Sequence, residues 1–217
     1  ENLAAKYGYD RSPMDEYAVQ SQARALAAIE SGFLARQIHP VLVPEGKSSR
    51  TFCIDESPRA GITVERLARL APAFHADGNV TAGNASGVTD GAAAIPVGSK
   101  ESLMSAGIKP IARIVDWAVV GVEPSRMGHG PVPAIEQCLR RTGQAISDID
   151  YFEINEAFAV VNLHVEAQLG IPRDRHNLYG GGISVGHPPG VTGLRMLRNA
   201  TQHLQQPGTR FAMLAMG

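Results

Sequence analysis

The sequence predicts an α/β protein built on a layered sheet, and three observations carry the prediction. From Ile108 onward, apolar runs of strand character (IARIVDWAVVGV, DIDYFEI, TRFAMLAM) alternate with helical patterns (PVPAIEQCLRRTG, NEAFAVVNLHVEAQLG, Leu194–Leu204). The connections between them are short and marked by glycine or proline, as βαβ units require. Of 217 residues, 44% are hydrophobic and 19% charged, enough to bury a sizeable core and too little charge for a disordered tail or a coiled coil.

Each element has its own signal. Ser12-Pro13-Met14-Asp15 has capping-box spacing with Pro13 at the first helical position, which predicts a helix running to Gly32. Its Ala18, Ala25 and Ala28, with Leu26 and Ile29, suit close packing on another helix. Residues 40–60 are short apolar runs broken by proline and glycine, so extended structure and loops. A second amphipathic helix is predicted over Val64–Leu70. Residues 78–98 are small and nearly uncharged, which excludes a surface helix and predicts buried, closely packed backbone. The helix after the glycine-rich turn carries Leu194, Leu197, Thr201 and Leu204 along one face.

Charge and cysteine usage narrow the function classes. A net charge of -1 argues against a dedicated nucleic-acid binder. Two cysteines, Cys53 and Cys138, support neither a disulfide framework nor a four-ligand zinc site, and the scattered histidines predict no metal. Cys138 sits at a helical apolar position and reads as core; Cys53 has no activating context. No apolar run reaches membrane-spanning length, and the start ENLAAKYGYD lacks the features of a signal peptide. The expected location is cytoplasmic, and the missing initiator methionine predicts a chain cut from something longer.

Three segments concentrate polar groups suited to chemistry. In Thr81–Asp90, small residues permit close approach while Asn84, Ser86 and Thr89 offer neutral hydrogen bonds; composition alone favours a tightly packed buried turn. In Glu153–Ala159, Asn155 lies where a strand ends and a helix starts, as a ligand contact or as a helix cap. In Asn177–Gly193, six glycines and two prolines shape a loop that holds His187 between Gly186 and Pro188, pre-positioned for proton transfer or anion handling. The glycines match neither GxGxxG nor GxxxxGK[ST], so a phosphate-binding loop fares poorly. Asp148, Asp150 and Glu153 alternate along a strand and read as its solvated edge.

Taken together, TAGNASGVTDGAAA, VGVEPSRMGHGPVPA, NEAFA and NLYGGGISVGHPPGVTG resemble the thiolase family, the acetyl-CoA acetyltransferases and 3-ketoacyl-CoA thiolases. The similarity spans essentially the whole chain. It implies a thiolase-like layered fold with mixed sheets between helices, incomplete at its N-terminal side. Residues 1–75 would end a helical loop domain, 76–105 would be the last part of the N-terminal α/β half, and 106–217 a truncated C-terminal α/β half.

The resemblance also implies site roles. The acylated cysteine of thiolases falls before the first residue here. His187 would deprotonate that nucleophile, and Asn155 would hold a water that completes an oxyanion hole with His187. Ser86 would hydrogen-bond the pantetheine amide of coenzyme A. Phe74, Met127, Ala157 and Phe158 would line its tunnel, Arg59 would face the nucleotide end, and Arg66 would sit a turn beyond. Coenzyme A or acetyl-CoA is implied as substrate, with no permanently bound cofactor, no metal, and a homodimer or homotetramer as the assembly. The second catalytic cysteine, counted without gaps from the GHPPG motif, falls on Gly217.

The implied activity is acyl-CoA:acetyl-CoA C-acyl transfer through an acyl-cysteine. One rival is a non-catalytic thiolase-like protein that binds acyl-CoA or scaffolds a partner. Another is an α/β module that uses its glycine-rich turn for an anion.

Overall fold

A computed structural model describes all residues, Glu1–Gly217. The chain opens with two helices, α1 (Asn2–Tyr7) and α2 (Arg11–Glu30). Between them Gly8 adopts the left-handed conformation that ends α1. The helix α2 starts at Arg11, with Asp10 as its N-cap residue, so Pro13 is the third helical residue rather than the first. Proline fits anywhere in a first turn, where backbone N–H groups have no intrahelical partner. The Ser12 hydroxyl donates to Glu16 (3.1 Å) and caps nothing. Ala18, Ala25 and Ala28 are buried as expected, and their small side chains let α2 lie close to α6 (Ala159–Leu169) and α7 (Gly182–Val185).

Next comes an exposed antiparallel hairpin, β1 (Val41–Glu45) and β2 (Ser48–Phe52), followed by α3 (Val64–Leu67). The Thr63 hydroxyl caps α3, which stops short of the expected Leu70. The helix α4 (Lys100–Ser105) is small and exposed.

Two expectations for the middle of the chain change. Residues 78–98 form no helix, as predicted, but only the first part is packed: Val80, Thr81 and Asn84 are buried, whereas Gly87–Gly98 is largely exposed. The predicted strand over Ile111–Val122 is not formed. The segment has no regular secondary structure and no strand partner, and Trp117 and Val119 stand exposed. Strand propensity becomes a strand only where a neighbour supplies the ladder. A two-pronged contact from Arg141 to Asp116 (2.8 and 2.6 Å) ties this segment down.

The C-terminal part follows the predicted alternation. Its elements are α5 (Pro131–Thr142), β3 (Tyr151–Ile154), α6, α7, α8 (Thr192–His203) and β4 (Ala212–Ala215). Pro131 opens α5, and Gly143 and Gly170 close α5 and α6 in left-handed conformation. The strands β3 and β4 run parallel, from Tyr151 opposite Ala212 to Ile154 opposite Ala215, and α8 packs on both. The buried residues of α8 are Thr192, Met196, Asn199, Ala200, Thr201 and His203; of the predicted row only Thr201 is among them, the three leucines being half-buried. Glu153 likewise departs from expectation: β3 is covered on both faces, so its carboxylate is buried, not on a solvated edge.

One hydrophobic core joins the two ends of the chain, with Leu3, Met14 and Tyr17 packed with Ile135, Phe152 and Val165. No helix is long and apolar enough to cross a membrane.

Candidate active site

The end of β3 fixes the centre of the site. The Asn155 N–H donates to the Ala215 carbonyl (2.9 Å), extending the β3–β4 ladder by one bond. Past it the chain leaves the sheet, and α6 begins only at Ala159, with Phe158 in the cap position. Asn155 is therefore not a helix cap. Its side chain is free for other work.

Glu156 anchors this turn. One carboxylate oxygen accepts from Tyr17 (3.1 Å) and Asn177 (3.1 Å), the other from Ser21 (2.6 Å) and the Ile183 N–H (3.1 Å). A fully buried carboxylate needs such a set of donors. These four bonds bind α2 and the glycine-rich loop to the turn that carries Asn155. A Cβ on Gly182 would lie 2.9 Å from the Glu156 carbonyl, so only glycine permits this approach.

The segment Thr81–Gly87 docks antiparallel to the same turn. The Ala159 N–H donates to the Asn84 carbonyl (2.8 Å) and the Ser86 N–H to the Ala157 carbonyl (2.9 Å). Asn84 itself is structural, bonded to Asp15 (2.9 Å) and to the Thr81 N–H (2.9 Å). Ser86 thus comes to lie beside Ala157 and Phe158, a pair far from it in sequence.

His187 completes the group. Its backbone N–H donates to the Gly87 carbonyl (2.8 Å). Its ring reaches Thr192 through Nδ1 (2.7 Å) and the Asn155 amide nitrogen through Nε2 (3.4 Å). The Thr192 hydroxyl donates to the Pro188 carbonyl (3.0 Å), so it accepts from Nδ1–H. That leaves Nε2 with its lone pair towards Asn155. Burial lowers the pKa of the ring, and the Arg195 guanidinium adds to the effect. A neutral imidazole with a directed lone pair is a proton acceptor at neutral pH. The Asn155 Oδ1 is buried with no protein partner.

A cleft of about 320 Å³ opens nearby, and Phe74, Met127 and Phe158 are among its lining residues, with Leu3, Arg126 and Val161. Phe74 meets Phe158 edge-to-face at 6.0 Å. Of the nine sequence-predicted site residues, the structure brings His187 to Asn155, and Ser86 to Ala157 and Phe158; it places Phe74 and Met127 with Phe158 in the cleft. Arg59 and Arg66 do not line that cleft. The Arg59 N–H is held by Gln22 (2.8 Å), and the Arg66 guanidinium by the Gly61 carbonyl (2.9 Å).

Sequence reasoning missed Thr192, whose signal was a hydroxyl five residues past His187 at a helix start. It also missed Arg195. Gly217 packs against Met127 and Pro131, where a Cβ would come within 2.8 Å of Pro131; the residue whose carbonyl holds the Asn155 N–H is Ala215. Cys138 is buried in α5, and burial, helped by Asp116, raises its thiol pKa.

Comparison with known proteins identifies the family. Residues 1–101 match the model of the thiolase N-terminal domain and residues 108–217 that of the thiolase C-terminal domain. The acetyl-CoA acetyltransferase of Escherichia coli K12 is 47% identical over 91% of the chain and 50% of its own length. The human mitochondrial 3-ketoacyl-CoA thiolase is 42% identical over 98% of the chain and 54% of its own length. Among solved structures, the Bacillus anthracis acetyl-CoA acetyltransferase superposes with a TM-score of 0.95 at 43% identity, over 99% of this chain and 55% of that one. Human mitochondrial 3-ketoacyl-CoA thiolase in complex with CoA gives 0.93 at 41% identity, over 99% and 53%. The chain spans about half the length of the relatives it matches.

Proposed function

The chain belongs to the thiolase family, and from that premise we propose that it supplies the base and oxyanion part of an acyl-CoA:acetyl-CoA C-acyltransferase site. The observation that carries the reading is the His187–Asn155 pair, with Nε2 and an amide N–H meeting at 3.4 Å. In the proposed reaction His187 Nε2 takes the proton of a cysteine thiol outside this chain. The resulting thiolate attacks the thioester carbonyl, CoA leaves as its thiolate, and the imidazolium returns the proton to it. Asn155, with a water, and His187 face the oxyanion that forms on the way. A base outside this chain takes the α-proton of acetyl-CoA, the resulting enolate attacks the acyl-cysteine carbonyl, and the acyl group passes to it as the cysteine leaves as its thiolate; thiolysis runs the same steps backwards.

Coenzyme A is the proposed ligand of the cleft. Phe74, Met127, Ala157 and Phe158 would line the pantetheine path, Ser86 would bond its amide, and Arg59 and Arg66 would face the nucleotide. No permanently bound cofactor and no metal enter this scheme. A cytoplasmic place in fatty acid metabolism and a homodimer or homotetramer complete the reading, supported by family membership. Residues 1–75 are assigned to the loop domain, 76–105 to the N-terminal half and 106–217 to the C-terminal half.

Titration of the chain with CoA by calorimetry tests the reading. Saturable micromolar binding is expected; no binding at millimolar CoA removes it. A second reading, a thiolase-like acyl-CoA binder without catalysis, is favoured by one observation: the β4 residue whose carbonyl accepts from the Asn155 N–H is Ala215, not a cysteine. Turnover after mixing with a cysteine-bearing N-terminal thiolase half separates the two, because the binder reading predicts none.

A further inference from the structure

The peptide unit between Gly186 and His187 is gripped at both ends. Its N–H donates to the Gly87 carbonyl (2.8 Å) and its carbonyl accepts from Arg195 Nη1. Gly186 stands at φ 91°, and a Cβ there would lie 2.5 Å from the Thr89 hydroxyl oxygen. The backbone entering His187 thus has one allowed conformation, enforced from three sides.

We propose that Arg195 is a positioning residue for His187, fixing the plane of the peptide that precedes it and setting a permanent cation beside the imidazole. The proposal rests on the reading of His187 as the base.

Several features argue that Arg195 is more than a loop tie. It sits one turn into α8, partly exposed as a residue, yet its Nε and Nη2 are sealed from solvent and have no partner. Burying two guanidinium N–H groups unpaired is costly, so the position is imposed by something else. The carboxylates that act on it are Glu153 of β3, Glu156 of the turn after β3, and Asp55 of the loop after β2. None of them forms an ion pair with it. Glu153, on β3 two residues before Asn155, is itself buried with one oxygen unpartnered. Burial holds it protonated, with a pKa pushed up to about 8, so it does not neutralise the arginine at pH 7. The positive charge, which no carboxylate engages in an ion pair, opposes protonation of His187 and favours an Nε2 free to accept a proton.

The two functions of Arg195 separate by substitution. Arg195→Gln removes the cation, whereas Arg195→Lys keeps the charge and loses the planar fork. The measurements are the imidazole titration of His187 by NMR, its signal identified from His187→Ala, and hydrogen exchange at the His187 amide. In Arg195→Gln the pKa of His187 should rise by about half a unit or more, and its amide should exchange at least tenfold faster. In Arg195→Lys the exchange should quicken while the pKa stays near that of the parent chain. An unchanged titration and unchanged exchange in folded Arg195→Gln overturn the proposal. Should Arg195→Gln not fold, Arg195→Lys decides alone: faster exchange supports the proposal and parental exchange overturns it.

Calorimetry with CoA on the parent chain keeps the two readings apart. Binding with an unmoved His187 removes only this role of Arg195. No binding with the His187 shift intact removes the function and leaves the positioning.

Discussion

The Thr192 hydroxyl lies 2.7 Å from His187 Nδ1 and itself donates to the Pro188 carbonyl. One hydroxyl has one proton, so the ring must be the donor in this pair. The tautomer of His187 is thereby set by a residue that touches neither Asn155 nor the cleft. Thr192→Val keeps the shape and deletes the acceptor. The expected result is a mixture of ring tautomers, read from nitrogen chemical shifts, and a stability loss of about 1 kcal/mol. A ring that stays wholly Nδ1-protonated would show that something other than Thr192 chooses the tautomer.

Gly186 and Thr89 make a second testable pair. At φ 91° a side chain is strained, and the nearest atoms to a new Cβ belong to Thr89, at 2.5 to 3.0 Å. Gly186→Ala should destabilise the chain by about 2 kcal/mol or more, from backbone strain and clash together. Thr89→Gly removes only the clash. Urea denaturation of the double variant should therefore recover part of the loss and not all of it. Full recovery would mean the backbone at Gly186 is not strained.

Two buried groups of opposite sign shape stability against pH. Burial, then the neighbouring His129 (2.8 Å away), pushes His164 down to about 4. Its unfolded form binds a proton first, so its contribution is present above about 6.5 and lost as pH falls towards 4. Glu153, pushed up to about 8 by burial, works the other way: the folded state holds the proton, and stability is lost as pH rises from about 4.5 through 8. The two oppose each other between about 4.5 and 6.5. Between 6.5 and 8 Glu153 is the one still changing, so Glu153→Gln should flatten the decline there, by up to about 1.4 kcal/mol per pH unit. His164→Gln should shrink the acid loss without abolishing it, because His187 and His203 are also lowered. Parallel stability curves for Glu153→Gln and the parent chain above pH 6.5 would contradict a protonated Glu153.

How much of this was legible depended on whether the signal was local. The helix over Pro131–Thr142 was readable because proline opens it, glycine closes it and apolar residues repeat between them. The approach of Ser86 to Ala157 and of Asn155 to His187 came from motif resemblance, since their sequence separations are too large for periodicity to report. Glu153 was misread because two strand neighbours of like charge suggested an edge, whereas α8 covers that face with Asn199, which donates to its carboxylate (3.1 Å). The strand expected over Ile111–Val122 failed for a related reason: a strand is a property of two segments, and the sequence describes one at a time. Arg195 was invisible as a site residue because a cation three residues after a helix start is unremarkable until its partner, a loop carbonyl, is known.

The cleft offers a test of ligand binding separable from the chemistry. Phe74 and Phe158 meet edge-to-face, a contact worth about 0.5–1.5 kcal/mol beyond area. Phe158 also packs against the main core, so truncating it would disturb the fold and confuse the result. Phe74 is 61% exposed, and Phe74→Ala removes one wall of the cleft at little cost in stability. CoA affinity should fall about tenfold, the equivalent of about 1.4 kcal/mol, while the unfolding midpoint stays close to that of the parent. His187→Ala should do the reverse, leaving CoA affinity nearly intact because His187 does not line the cleft, and cutting turnover of the assembled enzyme by orders of magnitude. If Phe74→Ala binds CoA as the parent does, the cleft is not the pantetheine path, and the site must be sought on the Arg59 side of the loop.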